Sequence, residues 1–383
     1  MYISEDIKYI GCDDLDIDLF ESQYKVKNGI SYNSYIIIDE KVAVMDTVDK
    51  RKKNEWLANL AKELNGKEVD YLIVSHLEPD HSAAIKDICE IYPNMKLVMS
   101  AKAFAMLPNF YQIDNLSNRV IAVKENDTLS LGKHTLKFIM APMVHWPEVM
   151  VEYELEEKIL FSADAFGKFG ALSIHEEWPD EARRYYLNIV GKYGSPVQTL
   201  LKKASALDIK MIAPLHGPLL NENLGYYINL YNIWSSYQYE VDGLLIASAS
   251  AHGNTYNAAK YLYELAIENN INTKLIDITR CDLSLAVAEA FKYKNMVLLA
   301  PTYDGYMFTP MEDFLMRLSH KSYQNRTVGL IENGSWAPMA NKLMEEKLSS
   351  MKNITILEPK ITIKTTLSDN NKLEMKDLIN NLK

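Results

Sequence analysis

The sequence predicts an α/β chain with two domains, the second of which is a doubly wound parallel sheet. A length of 383 residues is more than one hydrophobic core usually serves, and 48% hydrophobic with 24% charged residues is typical of a globular protein. Short strands and amphipathic helices follow one another irregularly through residues 1–241, whereas strands and helices alternate strictly through residues 242–383. Strict alternation predicts a parallel sheet with helices on both faces.

The elements of the first domain are predicted from short aliphatic or β-branched runs bounded by turn residues, and from amphipathic spacing. The runs predict strands at Ser34–Ile38, Val42–Met45, Tyr71–Val74, Leu97–Met99, Leu136–Met140, Val149–Tyr153, Lys158–Ser162 and Met211–Pro214. The amphipathic segments predict helices at Lys53–Leu64, Ser82–Ile91, Ala101–Phe110, Pro179–Tyr193 and Pro196–Ala206.

The elements of the second domain follow the same two signals in a regular order. Strands are predicted at Leu244–Ala249, Thr273–Ile278, Met296–Ala300, Thr327–Ile331 and Ile354–Leu357. Helices are predicted at Asn254–Glu268, Leu283–Phe291, Met311–Leu318, Pro338–Ser349 and Leu373–Leu382. Sheets of this kind bind ligands at the carboxyl ends of their strands, so the loops after these strands are candidate binding loops.

Charge and cysteine content exclude several classes of protein. The net charge of −10 argues against nucleic acid or an anionic membrane surface as the main partner. The cysteines Cys12, Cys89 and Cys281 form no Cys-x-x-Cys pair and no even set, which indicates neither a disulfide framework nor a thiolate metal site. The N-terminus lacks the pattern of a signal peptide, and no apolar stretch reaches the ~18 residues that span a bilayer. We therefore expect a cytoplasmic protein.

The most informative segment is residues 76–81, which read His-Leu-Glu-Pro-Asp-His and follow directly on a predicted buried strand. Four potential metal ligands, His76, Glu78, Asp80 and His81, thus lie close together in the chain. Desolvated carboxylates are costly unless they are paired or bind a cation. A helix cap would account for Asp80, but not for two histidines and a second carboxylate. The segment therefore predicts a metal centre.

Three later residues complete the set. His145, Asp164 and His216 each follow a predicted apolar strand. Each of them alone would more often be a satisfied polar residue or a turn residue than a ligand. With the first four they make four imidazoles and three carboxylates, which are too many for one ion but suit two ions that share a carboxylate. Such ligands suit iron, manganese or zinc, and do not suit copper(I) or an iron–sulfur cluster.

The order of these seven residues resembles the ligand set of the metallo-β-lactamase fold as the flavodiiron proteins (A-type flavoproteins) use it. Zinc hydrolases of that fold usually carry His-x-His-x-Asp-His, and Glu78 stands in place of the second histidine, as in the flavodiiron family. The added negative charge should stabilise ferric iron, which suits redox work better than a zinc-bound hydroxide. Segments 31–35 and 181–186 also resemble the family. The resemblance implies an αββα sandwich with one iron on His76, Glu78 and His145, a second on Asp80, His81 and His216, and Asp164 bridging them.

The first predicted strand of the second domain ends in small and hydroxyl residues before a helix begins. Such a turn directs backbone N–H groups and hydroxyls at one point beside the positive end of the helix dipole, which favours a phosphate. The loop is neither a Walker A motif nor the Gly-x-Gly-x-x-Gly fingerprint. It resembles the flavodoxin loop for the phosphate of flavin mononucleotide (FMN), and a well-capped helix is the alternative. The resemblance implies donors at Ser250, His252, Gly253, Asn254 and Thr255.

Two further loops follow predicted strands at the same edge of the sheet, and each offers an aromatic side chain. Tyr303 and Trp336 are candidates to stack on the isoalloxazine ring, with core packing as the alternative for each. The candidate flavin-binding residues of these two loops are Pro301, Thr302, Tyr303, Asp304, Gly305, Asn333, Gly334, Ser335 and Trp336.

The resemblance covers nearly the whole chain, including the order of the two domains. It implies an oxidoreductase with two irons and FMN that reduces dioxygen to water, nitric oxide to nitrous oxide, or both. No nicotinamide fingerprint is present and no four-cysteine rubredoxin module follows the second domain, so we expect an external electron donor such as rubredoxin. The family also implies a head-to-tail homodimer, or a dimer of such dimers. Neither nucleic acid nor a membrane is expected as a partner.

Two other functions fit parts of the sequence. A binuclear zinc hydrolase of the glyoxalase II kind would use a metal-bound water as nucleophile, with the flavodoxin-like part as an accessory module. Glu78 argues against that function. An electron carrier or gas sensor would bind its ligand at the diiron site without turnover. Two irons and a yellow flavin favour the reductase, two zincs and thioesterase activity favour the hydrolase, and sustained gas consumption separates the reductase from a sensor.

Overall fold

The computed structural model describes residues 3–382 and forms two compact units. The first unit comprises Met1–Tyr186 and Ser195–Tyr231, and the second comprises Leu187–Gly194 and Asn232–Lys383. The chain therefore enters the second unit briefly before it returns to complete the first. The functional boundary between residues 241 and 242 stays a prediction.

The first unit is built on short strands, most of them predicted from their aliphatic runs. They are β1 (Ile7–Tyr9), β2 (Cys12–Asp14), β3 (Leu19–Phe20), β4 (Tyr24–Lys25), β5 (Ile30–Tyr32), β6 (Tyr35–Ile38), β7 (Val42–Met45), β8 (Tyr71–Val74), β9 (Lys96–Ser100), β10 (Val120–Val123), β11 (Thr128–Ser130), β12 (Thr135–Met140), β13 (Met150–Glu154), β14 (Ile159–Phe161) and β15 (Met211–Ala213).

These strands make two sheets, ordered β1-β6-β7-β8-β9-β10 and β11-β12-β13-β14-β15, with two small ribbons, β2-β5 and β3-β4. In the first sheet β7, β8 and β9 run parallel, and in the second β14 and β15 run parallel. Within each sheet the carboxyl ends of parallel strands meet at one edge, where loops can carry functional side chains. The residues after β8, β14 and β15 therefore have the positions that a site requires.

Helices separate these strands along the chain or follow the last of them, and residues 187–194 and the end of the last helix belong to the second unit. The helices are α1 (Lys53–Leu64), α2 (Pro79–Ser82), α3 (Ile85–Ile91), α4 (Ala101–Met106), α5 (Leu116–Arg119), α6 (Trp178–Tyr185), α7 (Gly194–Ala204) and α8 (Leu224–Ser235), with 3-10 turns at Leu107–Asn109 and Gly191–Tyr193 and a π turn at Tyr186–Val190.

The core of the first unit lies between its two sheets. Ile37 and Val98 from the first sheet belong to the same buried cluster as Phe138 and Phe161 from the second. Burial of each such side chain stabilises the fold by about 1.5–3 kcal/mol before the entropy cost of folding is counted. The two packed sheets with helices between their strands agree with the predicted αββα sandwich.

Helix α1 illustrates how the sequence produces one of these helices. Trp56, Leu60 and Leu64 recur at intervals of four and form its buried face. The helix ends at Asn65, which adopts a left-handed conformation with φ 48° and whose N–H donates to the carbonyl of Ala61. Asparagine tolerates this conformation better than most residues, so it stops the helix at little cost.

The second unit is a parallel α/β sheet. Its strands are β16 (Val241–Ser248), β17 (Thr273–Asp277), β18 (Tyr293–Tyr303), β19 (Tyr306–Met307), β20 (Arg326–Asn333), β21 (Ile354–Ile356) and β22 (Ile361–Ile363). Its further helices are α9 (Asn254–Glu268), α10 (Leu283–Lys292), α11 (Thr309–His320), α12 (Ala340–Ser349) and α13 (Asp369–Asn380).

The strand order of the second unit is β17-β16-β18-β20-β21, with β22 also pairing β20 and β19 forming a hairpin with β18. All pairs except that hairpin are parallel. In chain order this is the 2-1-3-4-5 arrangement of the flavodoxin-like sheet. The prediction of a doubly wound parallel sheet is confirmed.

Strand β16 and helix α9 supply much of the core of the second unit. Leu244 and Ile246 of β16 are buried with Ala258 and Leu262 of α9. Gly253 precedes α9 with φ 92°, a left-handed conformation that glycine adopts without a Cβ penalty. None of the helices within residues 3–382 combines the length and apolarity that crossing a bilayer demands.

Candidate metal centre

The structure brings the seven predicted ligand residues together in two groups. Within each group the potential ligand atoms lie within 4.8 Å of one another. The first group is His76, Glu78, His145 and Asp164, and the second is Asp80, His81 and His216.

Strand ends position these side chains. His76 follows β8, Asp164 follows β14, and His216 follows β15. The backbone is strained directly before Asp164, because Ala163 has the left-handed φ of 49°. The carbonyl of Ala163 accepts the N–H of Leu215, which holds the turn in this conformation. Such strain is held by surrounding structure and clusters at functional sites. The strained turn fixes where the carboxylate of Asp164 points.

Asp164 lies between the two groups, with one carboxylate oxygen toward each. Its Oδ2 is 3.0 Å from Nε2 of His145, and its Oδ1 is 3.2 Å from Nε2 of His81. A carboxylate whose two oxygens face two sets of ligands is arranged to bridge two cations.

The second group shows nitrogens that face one another without a conventional donor. Nε2 of His81 is 3.0 Å from Nε2 of His216, and Oδ2 of Asp80 lies 3.3 and 3.2 Å from these two nitrogens. Neither oxygen of Asp80 makes a hydrogen bond to any described residue, although both are buried. Buried polar atoms are rarely left so, and a shared cation would satisfy all three side chains.

In two of the imidazoles the Nδ1 nitrogen, which is directed away from the cluster, contacts an oxygen of the protein. Nδ1 of His76 is 3.0 Å from Oε1 of Glu148, and Nδ1 of His216 is 2.6 Å from the backbone oxygen of Ser31. Such partners fix the ring and leave Nε2 directed at the site. Ser31 also accepts the N–H of Gly217 through its hydroxyl.

The loop that carries His76 is fixed to β7. Asp46, after β7, accepts the N–H and the hydroxyl of Ser75 at 2.9 and 2.5 Å. Thr47 donates its hydroxyl to the carbonyl of His81 at 2.9 Å. These bonds attach both ends of the segment 76–81 to the residues that follow β7.

Electrostatics show that the cluster attracts positive charge. Burial alone would lower the pKa of His76, but its hydrogen bonds to Glu148 and Glu78 raise it well above its usual value. The same competition raises the pKa of His145 to about 9, through Asp164 and Glu78. Against the effect of burial, the histidines hold the pKa of Glu78 and Asp164 below the usual range. Ionised carboxylates of this kind favour a cation beside them.

A cavity of about 280 Å³ opens next to the ligands. Phe20, Glu21 and Arg51 line it together with Glu78 and Asp80. Desolvation, and then the Glu78 carboxylate, raise the pKa of Glu21 to about 7. The cavity gives a small molecule access to one side of the cluster.

The residues present fit a pair of divalent or trivalent cations. Their donors are four imidazole nitrogens and three carboxylates without sulfur, which suits iron, manganese or zinc. The unbonded oxygens of Asp80 and the bridging position of Asp164 agree with two cations and not one.

In the second unit the predicted flavin-binding residues lie at the carboxyl edge of the sheet, after β16 and at or after the ends of β18 and β20. Both β18 and β20 extend beyond their predicted ends, so that residues 301–303 and Asn333 are the last residues of these strands. Nδ2 of Asn333 is 3.4 Å from the hydroxyl of Thr255, and the hydroxyl of Ser250 accepts the N–H of Gly253. The two aromatic candidates are exposed, since Tyr303 is 50% and Trp336 is 84% accessible. Core packing therefore does not account for either ring.

Comparison with known proteins gives one consistent result. A family model described as ODP family beta lactamase matches residues 30–217. A nitric oxide reductase of Moorella thermoacetica is 30% identical over 374 residues, which cover 94% of this chain and 92% of that protein. The flavodiiron protein of Giardia intestinalis has a TM-score of 0.93 at 26% identity, covering 99% of this chain and 95% of that one. The chain belongs to the flavodiiron family.

A second solved structure agrees. The rubredoxin oxygen:oxidoreductase of Desulfovibrio gigas has a TM-score of 0.92 at 25% identity, covering 100% of this chain and 97% of that one. The resemblance on which we based the fold and the family is thus confirmed for this flavodiiron chain. The roles of its individual ligands and flavin contacts stay predictions.

Sequence reasoning missed residues that support both parts of this flavodiiron protein. Glu148 was not predicted, although it lies three positions after His145 and is one of the few buried carboxylates. Thr365 was not predicted either. It follows β22, its N–H donates to Oδ1 of Asn333 at 3.0 Å, and its hydroxyl contacts Ser335. The signal that could have indicated them is a charged residue shortly after a ligand, for Glu148, and a hydroxyl residue shortly after a strand, for Thr365.

A third group that could hold a cation lies away from the centre, at Asp6, His134 and Glu157. His134 already places Nδ1 at 3.0 Å from Glu154 and Nε2 at 3.1 Å from Asp6. Both ring nitrogens are thus occupied by protein partners, and the group is explained as an ion-pair cluster.

Proposed function

We propose that this flavodiiron protein reduces dioxygen to water, nitric oxide to nitrous oxide, or both, with electrons that arrive through FMN from an external donor. Family membership makes the chain an oxidoreductase with a flavin and a diiron centre as its cofactors. The observation that carries the proposal is the position of Asp164, whose two oxygens face two matched sets of ligands.

The proposed ligands follow the two groups. His76, Glu78 and His145 would hold one iron, and Asp80, His81 and His216 the other, with Asp164 shared. When bound, FMN stores one or two electrons and a pair of ferrous irons can deliver two electrons together to a small molecule. Each group offers two imidazoles and one carboxylate of its own, so each iron would receive the same donor types.

The protein's own contribution is to orient these groups and to exclude competing reactions. Glu148 and the Ser31 carbonyl fix two imidazoles, so no reorientation is needed when a substrate enters. His76, His81 and His216 are fully buried, and a cavity beside Glu78 and Asp80 gives access to the ligands. Restricted access limits water and larger molecules at the reacting centre.

The flavin would be held at the carboxyl edge of the second unit. The loop at Ser250, His252, Gly253, Asn254 and Thr255 would receive the phosphate, next to the N-terminus of α9. Tyr303 and Trp336 would stack on the isoalloxazine ring, and their exposure supports that role. The backbone and polar side chains of the same two loops would contact the ring edge: Pro301, Thr302, Asp304, Gly305, Asn333, Gly334 and Ser335.

We also propose the substrates, the electron donor, the oligomeric state and the location of the protein. The names of two relatives, a nitric oxide reductase and a rubredoxin oxygen:oxidoreductase, support both gases and a rubredoxin donor. We also propose a head-to-tail homodimer, as the family implies, in which the flavin of one subunit would face the metal site of the other subunit and pass electrons to it. The free thiols of Cys12, Cys89 and Cys281 support a reducing, cytoplasmic location.

A steady-state assay tests the proposal. The protein is loaded with iron and FMN, given reduced rubredoxin, and supplied with dioxygen or nitric oxide while consumption is followed. We expect two irons and one flavin per chain and sustained consumption of at least one gas. Two zincs with thioesterase activity, or a single turnover without sustained consumption, would contradict the proposed reductase.

A further inference from the structure

A buried carboxylate holds the back nitrogen of His76. Oε1 of Glu148 lies 3.0 Å from Nδ1 of His76 and also accepts the N–H of Leu77 at 3.1 Å. The opposite nitrogen, Nε2, then faces Glu78 at 3.2 Å and Asp164 at 3.5 Å. The contact therefore fixes both the ring orientation and the nitrogen that is offered to a metal.

Glu148 is itself held in place. Its backbone oxygen accepts the hydroxyl of Ser100 at 2.8 Å, and that hydroxyl also caps α4 by accepting the N–H of Ala103. The ring of Trp146 packs edge-on against His76 with centroids 5.1 Å apart. Oε2 of Glu148 has no hydrogen-bond partner in the described part of the chain. The charge of Glu148 is thus directed at His76 and is little offset elsewhere.

The imidazoles of the second group have no carboxylate behind them. Nδ1 of His216 faces the neutral carbonyl of Ser31 at 2.6 Å. Nδ1 of His81 finds no hydrogen-bond partner between residues 3 and 382. A carboxylate behind an imidazole makes it a stronger donor than a carbonyl does, because a full negative charge stabilises positive charge on the ring.

The two groups are otherwise matched, since each has two imidazoles, one carboxylate that the other group does not share, and one oxygen of Asp164. We propose that Glu148 is a positioning residue that makes the two irons unequal, so that the iron beside His76 is the more easily oxidised of the pair. Extra negative charge on that side stabilises the ferric state there relative to the ferrous state. This inference rests on the proposed function.

Glu148→Gln tests the charge of Glu148 apart from its shape, since a glutamine keeps an oxygen that accepts from His76. The full chain, loaded with iron and FMN, is titrated with reductant while electron paramagnetic resonance follows the state with one ferric and one ferrous iron. We expect the first oxidation step to require a higher potential. The range of potentials over which one iron is ferric and the other ferrous should become narrower. Roughly a tenfold loss of ferric preference is expected, which is about 59 mV for one electron.

A matched control lies on β13. Glu154 is buried and places Oε1 3.0 Å from Nδ1 of His134, away from both ligand groups. Glu154→Gln removes a charge from a histidine–carboxylate pair of the same geometry and should leave the titration unchanged. An effect of equal size in both variants would overturn the proposal, because it would then reflect general charge or stability.

The remaining outcomes also decide. If the parent protein holds two irons and Glu148→Gln titrates identically, Glu148 does not set the inequality and the proposed function still stands. If Glu148→Gln loses one iron while Glu148→Asp and Glu154→Gln keep two, the titration of Glu148→Asp decides instead: it keeps the charge, so it should titrate like the parent protein, and a first oxidation step as hard as that expected for a neutral side chain would overturn the proposal. If all three variants lose iron alike, it fails. A parent protein without an iron pair would instead refute the proposed function.

Discussion

Nε2 of His81 and Nε2 of His216 face each other at 3.0 Å, in the interior of the first unit. Two neutral imidazoles directed in this way would oppose lone pairs unless one carries a proton on that nitrogen. Asp80 lies 3.2 to 3.3 Å from both nitrogens and is not hydrogen-bonded within the described chain. A metal ion bound by all three removes the conflict, which is why we assign them to one cation.

His216→Ala should therefore lower the metal content from two ions to one. The second group would keep Asp80 and His81, and we expect its affinity to fall by at least the roughly 10–100-fold that loss of a hydrogen-bond partner behind a ligand costs, because a ligand itself is removed. Metal analysis after dialysis, with calorimetric titration of Zn²⁺ into the metal-free protein, measures the change. His320→Ala, at an exposed histidine of α11, is the control and should retain both ions. Retention of both ions by His216→Ala would contradict the assignment.

Asp164→Ala should have a larger effect because it removes an oxygen from each group. We expect depletion of both irons by roughly tenfold or more and loss of gas turnover, while FMN stays bound in the second unit. Iron and flavin are measured in the same sample, so the flavin content reports that the chain is folded. Asp16→Ala, at an exposed aspartate, should change neither quantity. Full activity in Asp164→Ala would show that Asp164 is not a ligand.

The sequence was most informative where a ligand or a loop follows a strand end. β7, β8 and α1 have the predicted bounds, and the positions after β8, β14 and β15 follow from hydrophobic runs alone. A run that ends in polar residues indicates both where the strand stops and which side chains reach the edge. For that reason the hydrophobic runs identify the ligand candidates from the sequence itself.

Other features depend on contacts that no local pattern reveals. β1 to β5 have only two or three residues each, too few for a recognisable period. The predicted helix Ser82–Ile91 begins only at Ile85, as α3, because Ser82 belongs to the separate short helix α2 that also contains the buried residues Asp80 and His81. Glu148 contacts His76 from 72 positions away in the sequence, a pairing that forms only when the two sheets of the first unit pack together.

Glu152 makes stability depend on pH. It is 0% exposed on β13, and neither carboxylate oxygen finds a hydrogen-bond partner among residues 3–382. Burial, and then the charge of Asp46, raise its pKa well above the usual 4.5. The folded state keeps a proton that the unfolded chain releases above that pH. The stability that Glu152 contributes is therefore full below pH 4.5 and is lost as the pH rises toward the folded pKa.

Glu152→Gln keeps the shape of the protonated acid and removes this proton uptake. We expect it to raise the free energy of unfolding by about 1–3 kcal/mol at pH 7 and to change it little at pH 4. Urea unfolding at the two pH values measures the difference. Glu68→Gln, at an exposed glutamate, should show no such pH dependence. A gain of the same size at both pH values would mean that titration of Glu152 is not the cause.

Trp336 should contribute to flavin binding and little to folding. Its side chain is 84% exposed after β20, so it has few protein contacts to lose. An aromatic stacking contact is worth about 0.5–1.5 kcal/mol, so Trp336→Ala should weaken FMN binding by up to about tenfold. Quenching of FMN fluorescence on titration into the flavin-free protein gives the dissociation constant, and thermal unfolding checks the fold.

Leu373→Ala is the matched control for Trp336→Ala, since Leu373 is a large apolar side chain that is 60% exposed on α13 of the same unit. It should leave the FMN dissociation constant unchanged. Tyr303→Ala, at the second candidate stacking ring, which is 50% exposed at the end of β18, should weaken binding as Trp336→Ala does. If Trp336→Ala and Leu373→Ala bind FMN equally well, then Trp336 does not stack on the flavin, and its exposure must serve a different contact.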